Sequence, residues 1–279
     1  MIATARAIFT LAVVGLATPP MMLLQALLLG LRLPGSRWLP VIYHRFVCRV
    51  MGVRIKVIGT PSPQRPLLVV SNHISWLDIS VISATAPVSF IAKSEVATWH
   101  VIGWLARLQR SVFVTRERRT QTARTANDIA GRLSDGDCMV LFAEGTTGDG
   151  NRLRPFRSAL VGAAEALAAP DEVVMLQPMA IAYTRINGLP LGYQHRPLVA
   201  WCGDLDLGPH LWALLKAGPV DVTVAYGEPH VIDHETGRKQ ATAEAERAVT
   251  GLFLTAMHAH PAQTSLTPVT SEDEQAPQT

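Results

Sequence analysis

Apolar positions along the chain follow two regimes. From Ala7 to Leu31 no charged residue occurs, and Arg6 and Arg32 bracket the run. A continuous helix of that length would be roughly 37 Å long, enough to cross a bilayer. Pro19 and Pro20 sit in its middle, however, where a helix loses amide donors. Split there, residues 7–18 and 21–31 would each fall under about 20 Å, too short to span alone. Two membrane readings follow: one kinked span, or a re-entrant hairpin dipping into one leaflet. A cleaved signal peptide fits less well, because the apolar run resumes after Leu16-Ala17-Thr18-Pro19-Pro20. Between Pro40 and Met51, Val41, Ile42, Phe46, Val47 and Val50 can share an apolar helical face, with Arg45 and Arg49 on a basic one. That pattern suits an interfacial helix on anionic lipid.

Beyond residue 53 the pattern alternates. Short β-branched runs at 53–58, 67–71, 88–92, 112–115, 139–142, 173–182, 199–201 and 220–226 predict strands. Helical patterns fall at 75–85, 94–108, 120–133, 155–168, 209–217 and 240–258. The expected fold is α/β, a mostly parallel sheet flanked by helices, preceded by a membrane-inserted helical segment. The expected organisation is an anchoring segment at 1–52, a main domain at 53–260 and a disordered tail at 261–279, where Pro, Gln, Ser, Thr and acid replace apolar periodicity.

Composition sharpens this picture. The chain is 48% hydrophobic and 17% charged, too apolar for a disordered protein. Its net charge of +3 hides an asymmetry: eight basic and no acidic residues precede Asp78, whereas all 22 acidic residues follow from there. Arg32, Arg37, Arg45 and Arg49 follow the apolar run and only Arg6 precedes it, so the positive-inside bias puts the body in the cytoplasm. Cys48, Cys138 and Cys202 are too few and too scattered for a disulfide framework or a thiolate zinc site.

No G-x-S-x-G elbow, G-K-[ST] phosphate loop or H-E-x-x-H motif is present. Ser71-Asn72-His73-Ile74-Ser75-Trp76-Leu77-Asp78 instead places His73 between a buried-looking strand and the next helix. Ser75 and Asp78 have capping-box spacing, so Asp78 has a purely structural reading as a helix cap. It also has a functional one. On a continuous helix five residues would separate His73 and Asp78 by about 140°. With His73 in the loop, the carboxylate can hold one ring nitrogen protonated and leave the other as a base. With no Ser or Cys nucleophile beside it, such a pair implies activation of a substrate hydroxyl without a covalent enzyme intermediate.

A second cluster runs from Arg107 through Arg110, Arg116, Arg118 and Arg119 to Arg124, with Glu117 the only acid. Aromatic interleaving is poor, which argues against nucleic acid, and Arg116 at a strand end suits a phosphate or carboxylate headgroup. The third block, Phe142-Ala143-Glu144-Gly145-Thr146-Thr147-Gly148-Asp149-Gly150, joins a strand to a glycine-rich turn whose amides can face an anion. His230 and His234 lack an obvious third ligand, so no metal site is expected. Trp76, Trp99 and Trp104 fit helix packing or a membrane interface.

In order and spacing these blocks resemble the glycerolipid acyltransferase superfamily, whose members acylate 1-acyl-glycerol-3-phosphate. Asn72, His73 and Asp78 match N-H-x-x-x-x-D, Phe113 and Arg116 match G-x-x-F-[IV]-x-R, and Phe142, Glu144, Gly145 and Thr146 match F-x-E-G-T-R. Gln177-Pro178-Met179-Ala180 looks like a later proline-centred block, and Lys93 and Glu95 sit where members often carry K-x-E. The similarity covers about residues 55–230. It implies His73 as general base, Asp78 as its orienting partner, Arg116 and Lys93 as headgroup contacts, and Glu144 and Gly145 as shapers of the acceptor pocket. It also implies a lysolipid acceptor and an acyl-carrier protein or coenzyme A thioester as donor, with no further cofactor.

Two departures matter. Arg110 replaces the usual glycine of the second block, and Thr147 the usual arginine of the third, which the family gives to the acceptor phosphate. Losing that guanidinium removes a charge-assisted contact of a few kcal/mol, on the order of 1.5–3. The variant E-G-T-T-x-D-G followed by Pro155-Phe156-Arg157-Ser158 resembles the bacterial branch that acylates lyso-ornithine lipid, whose headgroup carries an amine and a carboxylate. Asp149 is then a candidate partner for the amine. The expectation is a lysolipid O-acyltransferase at the cytoplasmic face of a bacterial inner membrane. The alternative is a non-catalytic peripheral lipid-binding protein with a degenerate site.

Overall fold

β-Branched and apolar runs become the strands of one mixed sheet in the computed structural model, which describes residues 1–114, 131–133, 135–158, 174–203, 205–231 and 238–258. Arg116, Arg118, Arg119 and Arg124, most of the helices expected at 120–133 and 155–168, His234 and the tail at 261–279 lie outside the described residues. The strands are β1 (Val53–Ile58), β2 (Leu67–Ser71), β3 (Ser89–Lys93), β4 (Val112–Val114), β5 (Cys138–Phe142), β6 (Met175–Ile186), β7 (Leu189–Pro190), β8 (Val220–Tyr226) and β9 (His230–Val231). Their spatial order is β1-β8-β6-β2-β5-β3-β4, with β7 and β9 paired to β6.

Strands β6, β2, β5, β3 and β4 run parallel; β8 turns antiparallel to β6, and β1 follows β8. The sequences of β2 and β5, Leu-Leu-Val-Val-Ser and Cys-Met-Val-Leu-Phe, are buried on both faces, as the centre of a covered parallel sheet demands. The run at 199–201 forms no strand. It follows a 3-10 turn (Tyr193–Leu198), buries Val199 and Ala200, and bonds once to the site loop through Trp201 N–H to Ile74 O at 2.9 Å. Expected helix 94–108 is likewise divided, into a 3-10 turn at Ser94–Thr98 and an α-helix at His100–Leu108. The two pieces fold close together at Gly103, where a Cβ would meet Ala97 O at 2.5 Å.

The helices are α1 (Ile2–Gly30), α2 (Leu39–Met51), α3 (Leu77–Thr85), α4 (His100–Leu108), α5 (Leu207–Ala217) and α6 (Arg238–His258). Helix α1 is continuous through Pro19 and Pro20, so the re-entrant hairpin does not form. It lies along the body. Arg6 donates to the carbonyls of Leu215 and Lys216, Thr18 Oγ1 and Tyr43 Oη share a 2.8 Å bond, and Gln25 Nε2 donates to Ser36 O and Leu108 O. Ala7, Thr10 and Gln25 are the buried positions of this helix, while Phe9, Leu16, Leu23 and Leu27 stay exposed. Contacts from residue 6 to residue 25, about 28 Å apart along the axis, hold this long apolar helix against its neighbours.

Helix α2 does not lie free on its apolar face either. Val41, Val47 and Cys48 are buried, whereas Ile42, Phe46 and the preceding Trp38 are exposed and extend the outer face of α1. Arg45 Nε donates to Ala84 O at 2.8 Å, closing the end of α3, while Arg49 remains exposed. His44 Nδ1 bonds Ser80 Oγ at 3.2 Å and Nε2 bonds Gln109 Oε1 at 3.1 Å. Burial pushes its pKa down to about 4, so this polar link among helices is uncharged at neutral pH.

Helix α1 is long and apolar enough to cross a membrane, and its exposed outer face suits contact with lipid. Each exposed leucine gains roughly 1.5–3 kcal/mol on entering hydrocarbon. Leu16→Asp combined with Leu27→Asp therefore releases the protein from lipid vesicles in a co-sedimentation assay, with little change in melting temperature, because these side chains are exposed on the free protein.

Candidate active site

Strands β2 and β5 pair in parallel with Ser71 opposite Phe142, so both chains leave the sheet at the same level. Their exit loops lie side by side, the usual place for a ligand site in a parallel sheet. The loops are stitched together by Ala143 N–H to Ser71 O at 3.1 Å and Gly148 N–H to His73 O at 2.7 Å. On the other flank, Asn72 prolongs the ladder with its side chain: Nδ2 donates to Ile181 O at 3.0 Å and Oδ1 accepts Ile181 N–H at 2.9 Å. The amide thus fixes where the next residue, His73, leaves the sheet.

His73 and Asp78 meet as the spacing predicts. Nδ1 of His73 lies 2.7 Å from Asp78 Oδ2, which also accepts the N–H groups of Ile74 at 2.7 Å and Ser75 at 3.0 Å. Helix α3 begins at Leu77, two residues later than expected, and Ser75 Oγ accepts Leu77 N–H at 3.4 Å. One carboxylate thus holds both the entry of the helix and the ring of His73. Its other oxygen accepts the hydroxyl of Tyr183 on β6 at 2.7 Å. With no exposed surface and with two backbone N–H groups and a hydroxyl donating to it, Asp78 is placed to accept from His73 Nδ1–H. Nε2 then bears the lone pair. The ring stacks on Phe142, with centroids 3.9 Å apart and planes at 13°, and keeps 18% of its side-chain surface open. An oriented imidazole with a free basic nitrogen at a strand exit is built to take a proton from a bound hydroxyl.

Beside it, Glu144 is buried. Oε1 accepts His73 N–H at 3.4 Å, and Oε2 has no partner among the described residues. Burial pushes its pKa up to about 8, and the charge of Asp78 adds to the rise; the N–H groups of His73 and Arg154 oppose it. Gly145 turns the chain at φ 70°, and Gly148 packs so closely that a Cβ would sit 3.2 Å from Glu144 Oε2. Thr146 and Thr147 are half-buried in the same turn. Asp149 is committed to its own loop: Oδ1 accepts Asn151 N–H at 2.9 Å and Arg152 N–H at 3.5 Å, while Oδ2 accepts Asn151 Nδ2 at 3.4 Å. Lys93 is exposed at the exit end of β3. Arg116 lies outside the described residues.

Tyr183 and Arg196 escape the sequence reading. Tyr183 follows the fully buried stretch Met179–Ala182, and a lone phenol ending such a run is a signal of a buried polar partner. Arg196 reaches the glycine-rich turn, where Nη1 donates to Asn151 Oδ1 at 2.8 Å and Nε is buried with no partner among the described residues.

Two outcomes follow from this geometry. Tyr183→Phe leaves Asp78 Oδ1 short of its donor and lowers stability by about 1–3 kcal/mol in chemical denaturation. For Glu144, the folded state binds a proton that the unfolded chain releases near its ordinary value, so stability falls as pH rises between about 4.5 and 8. Glu144→Gln removes this slope: its melting temperature gains on the parent's steadily from pH 5 to pH 8.

Comparison with known proteins identifies the family. A family model described as Acyltransferase matches residues 54–182. The chain is 48% identical to a lyso-ornithine lipid O-acyltransferase of Brucella abortus, over 92% of this chain and 97% of that protein. It is 47% identical to one from Rhizobium meliloti, over 80% of this chain and 77% of the relative. In fold it resembles the crystal structure of the 1-acyl-sn-glycerophosphate acyltransferase of Thermotoga maritima, with a TM-score of 0.64 at 19% identity, covering 90% of this chain and 92% of that one. Identity of this level along nearly the whole length of such a relative, in a chain whose sheet carries a histidine bonded to a buried aspartate at a strand exit, places the chain in the acyltransferase family.

Proposed function

We propose that this protein transfers an acyl chain from a thioester, carried by acyl-carrier protein or coenzyme A, to the free hydroxyl of lyso-ornithine lipid. The observation that carries the reaction is the Asp78-anchored His73, whose side chain keeps 18% of its surface open. Nε2 takes the proton of the acceptor hydroxyl as its oxygen attacks the thioester carbonyl carbon. The tetrahedral intermediate then expels the thiolate, which takes the proton back from the imidazolium, and the ester is formed. Asp78 stabilises the transient positive charge on the ring, and Phe142 holds the ring plane.

Acceptor choice rests on the third block. Thr147 stands where a phosphate-binding arginine would, and neighbouring Glu144 is a buried carboxyl with one unpartnered oxygen. A phosphate would raise the cost of ionising that carboxyl, whereas an ammonium relieves it. An acceptor with an amine and a carboxylate therefore suits the site better than 1-acyl-glycerol-3-phosphate. Arg196, Lys93 and Arg116 are the cations proposed for its carboxylate, and Thr146, Thr147 and Gly145 shape the pocket around it. Asp149 acts by holding the turn.

The proposed setting is the inner face of a bacterial plasma membrane, with α1 and α2 embedded in one leaflet and the catalytic body in the cytoplasm. The absence of acidic residues before Asp78 supports that docking on anionic lipid. A labelled acyl donor offered to the detergent-held protein with lyso-ornithine lipid or lysophosphatidic acid tests the reading. The expected result is transfer to the ornithine acceptor, with His73→Ala slower by about 10²–10⁴-fold. Transfer to lysophosphatidic acid alone overturns the acceptor, and near-parental turnover by folded His73→Ala overturns the mechanism.

A further inference from the structure

At the opposite edge of the sheet from His73, where β2, β3 and β5 begin, a cavity of about 110 Å³ lies between the body and the α1–α2 connection. Arg37, Arg65 and Arg110 line it together with Gln25, Ser89 and Asp137. Its charges do not balance. Buried Asp137 serves three guanidiniums: Arg132 Nε at 2.6 Å, Arg110 Nη1 at 3.2 Å and Arg37 Nη2 at 3.4 Å. Arg65 uses Nη1 on the carbonyls of Ser62 and Gln64. The remaining carboxylate acting on Arg110 is Asp135, which is exposed and touches Arg37 only through its backbone oxygen. Four arginines thus face two acids among the described residues. Burial and the repulsion of Arg132 and Arg37 lower the pKa of Arg110, against the pull of Asp137 and Asp135.

Backbone geometry points the same way. Arg110 adopts φ 62°, a left-handed conformation that costs a non-glycine residue energy and that the family's usual glycine takes freely. The chain accepts that conformation with a guanidinium in place of glycine, and the guanidinium faces this cavity. Gln25, 5% exposed, also lines the cavity; its Oε1 is buried without a partner among the described residues, while Nε2 is committed to Ser36 O and Leu108 O. The site therefore offers surplus guanidinium donors beside one unused acceptor. The exposed Leu33 and Trp38 flank Ser36 and Arg37, so this edge borders the apolar outer face. A second, mostly apolar cavity of about 40 Å³ adjoins it through Gln25, Pro40, Leu108 and Gln109 and continues along Met21 and Met22 of α1.

We propose that the arginine-lined cavity binds the phosphate of a hydroxyl-bearing phosphoester of the phosphoglycerol class, with the guanidiniums on the phosphate and Gln25 Oε1 accepting the hydroxyl. The cavity has room for several waters, and hence for a tetrahedral oxyanion. It is separate from the acyl-transfer site and does not depend on which lysolipid is acylated there.

Two arms distinguish a lipid headgroup from a free phosphoester. In the first, full-length protein is titrated with phosphatidylcholine vesicles, with and without phosphatidylglycerol, at fixed ionic strength. Arg110→Gly, which suits the left-handed backbone, and the more exposed Arg37→Gln are compared with Arg49→Gln, an equal charge change outside the cavity. In the second, melting temperature is followed against sn-glycerol 3-phosphate. The expected result is that both cavity variants lose the preference for phosphatidylglycerol by about fivefold more than Arg49→Gln does, with binding to phosphatidylcholine unchanged. A melting-temperature rise with glycerol phosphate that the cavity variants lack, without a vesicle effect, assigns the site to a soluble phosphoester. Cavity variants that match Arg49→Gln on vesicles and the parent protein in the melting assay overturn the proposal.

Discussion

The carboxylate of Asp78 is the constraint on which the site depends. A charge with no exposed surface persists only where hydrogen bonds replace its water, and four donors do so here. Two of them are backbone amides leading into α3, one is the ring of His73, and one is the phenol of Tyr183. The requirement to satisfy one buried anion therefore fixes the entry of a helix, the tautomer of a base and the approach of β6 together. Stability and chemistry are inseparable at this residue.

Around that anchor the sheet supplies register. Ser71 stands opposite both Phe142 and Met179, so the loops carrying His73 and Glu144 leave at one level, and the Asn72 amide ties the first of them to β6. Phe142 continues the arrangement inward: it stacks on His73, and Phe90 lies behind it at 5.9 Å. The exposed apolar surface lies elsewhere, on the outer face of α1 and the exposed edge of α2. Thr18 joins α1 to α2, while Arg6 and Gln25 fasten α1 to the carbonyls of Leu215, Lys216 and Leu108.

Much of this was legible in the sequence, for physical reasons that differ by element. The unbroken apolar runs of β2 and β5 announce central strands, and the five-residue offset of His73 and Asp78 makes sense only across a loop-to-helix junction. Tyr183 was not legible, because its partner lies 105 positions away and the pairing of β6 with β2 is a property of the fold. The path of α1 is legible only as a choice between a kinked span and a hairpin, because two prolines argue locally for a break. The helix instead runs on through them, with Thr10 and Thr18 bonded to α2 and Gln25 to the end of α4. The run at 199–201 has strand composition, yet Val199 and Ala200 are buried outside the sheet and Trp201 N–H bonds the site loop at Ile74 O.

The account stands most directly on the protonation of one ring. Nitrogen-15 spectra of the histidine-labelled protein, with His73 assigned by its loss in His73→Ala, report which ring nitrogen carries hydrogen in the neutral state. The arrangement around Asp78 predicts a protonated Nδ1 and a bare Nε2. A neutral His73 protonated at Nε2 would contradict it, since the nitrogen facing the acceptor would then have no lone pair to receive the proton.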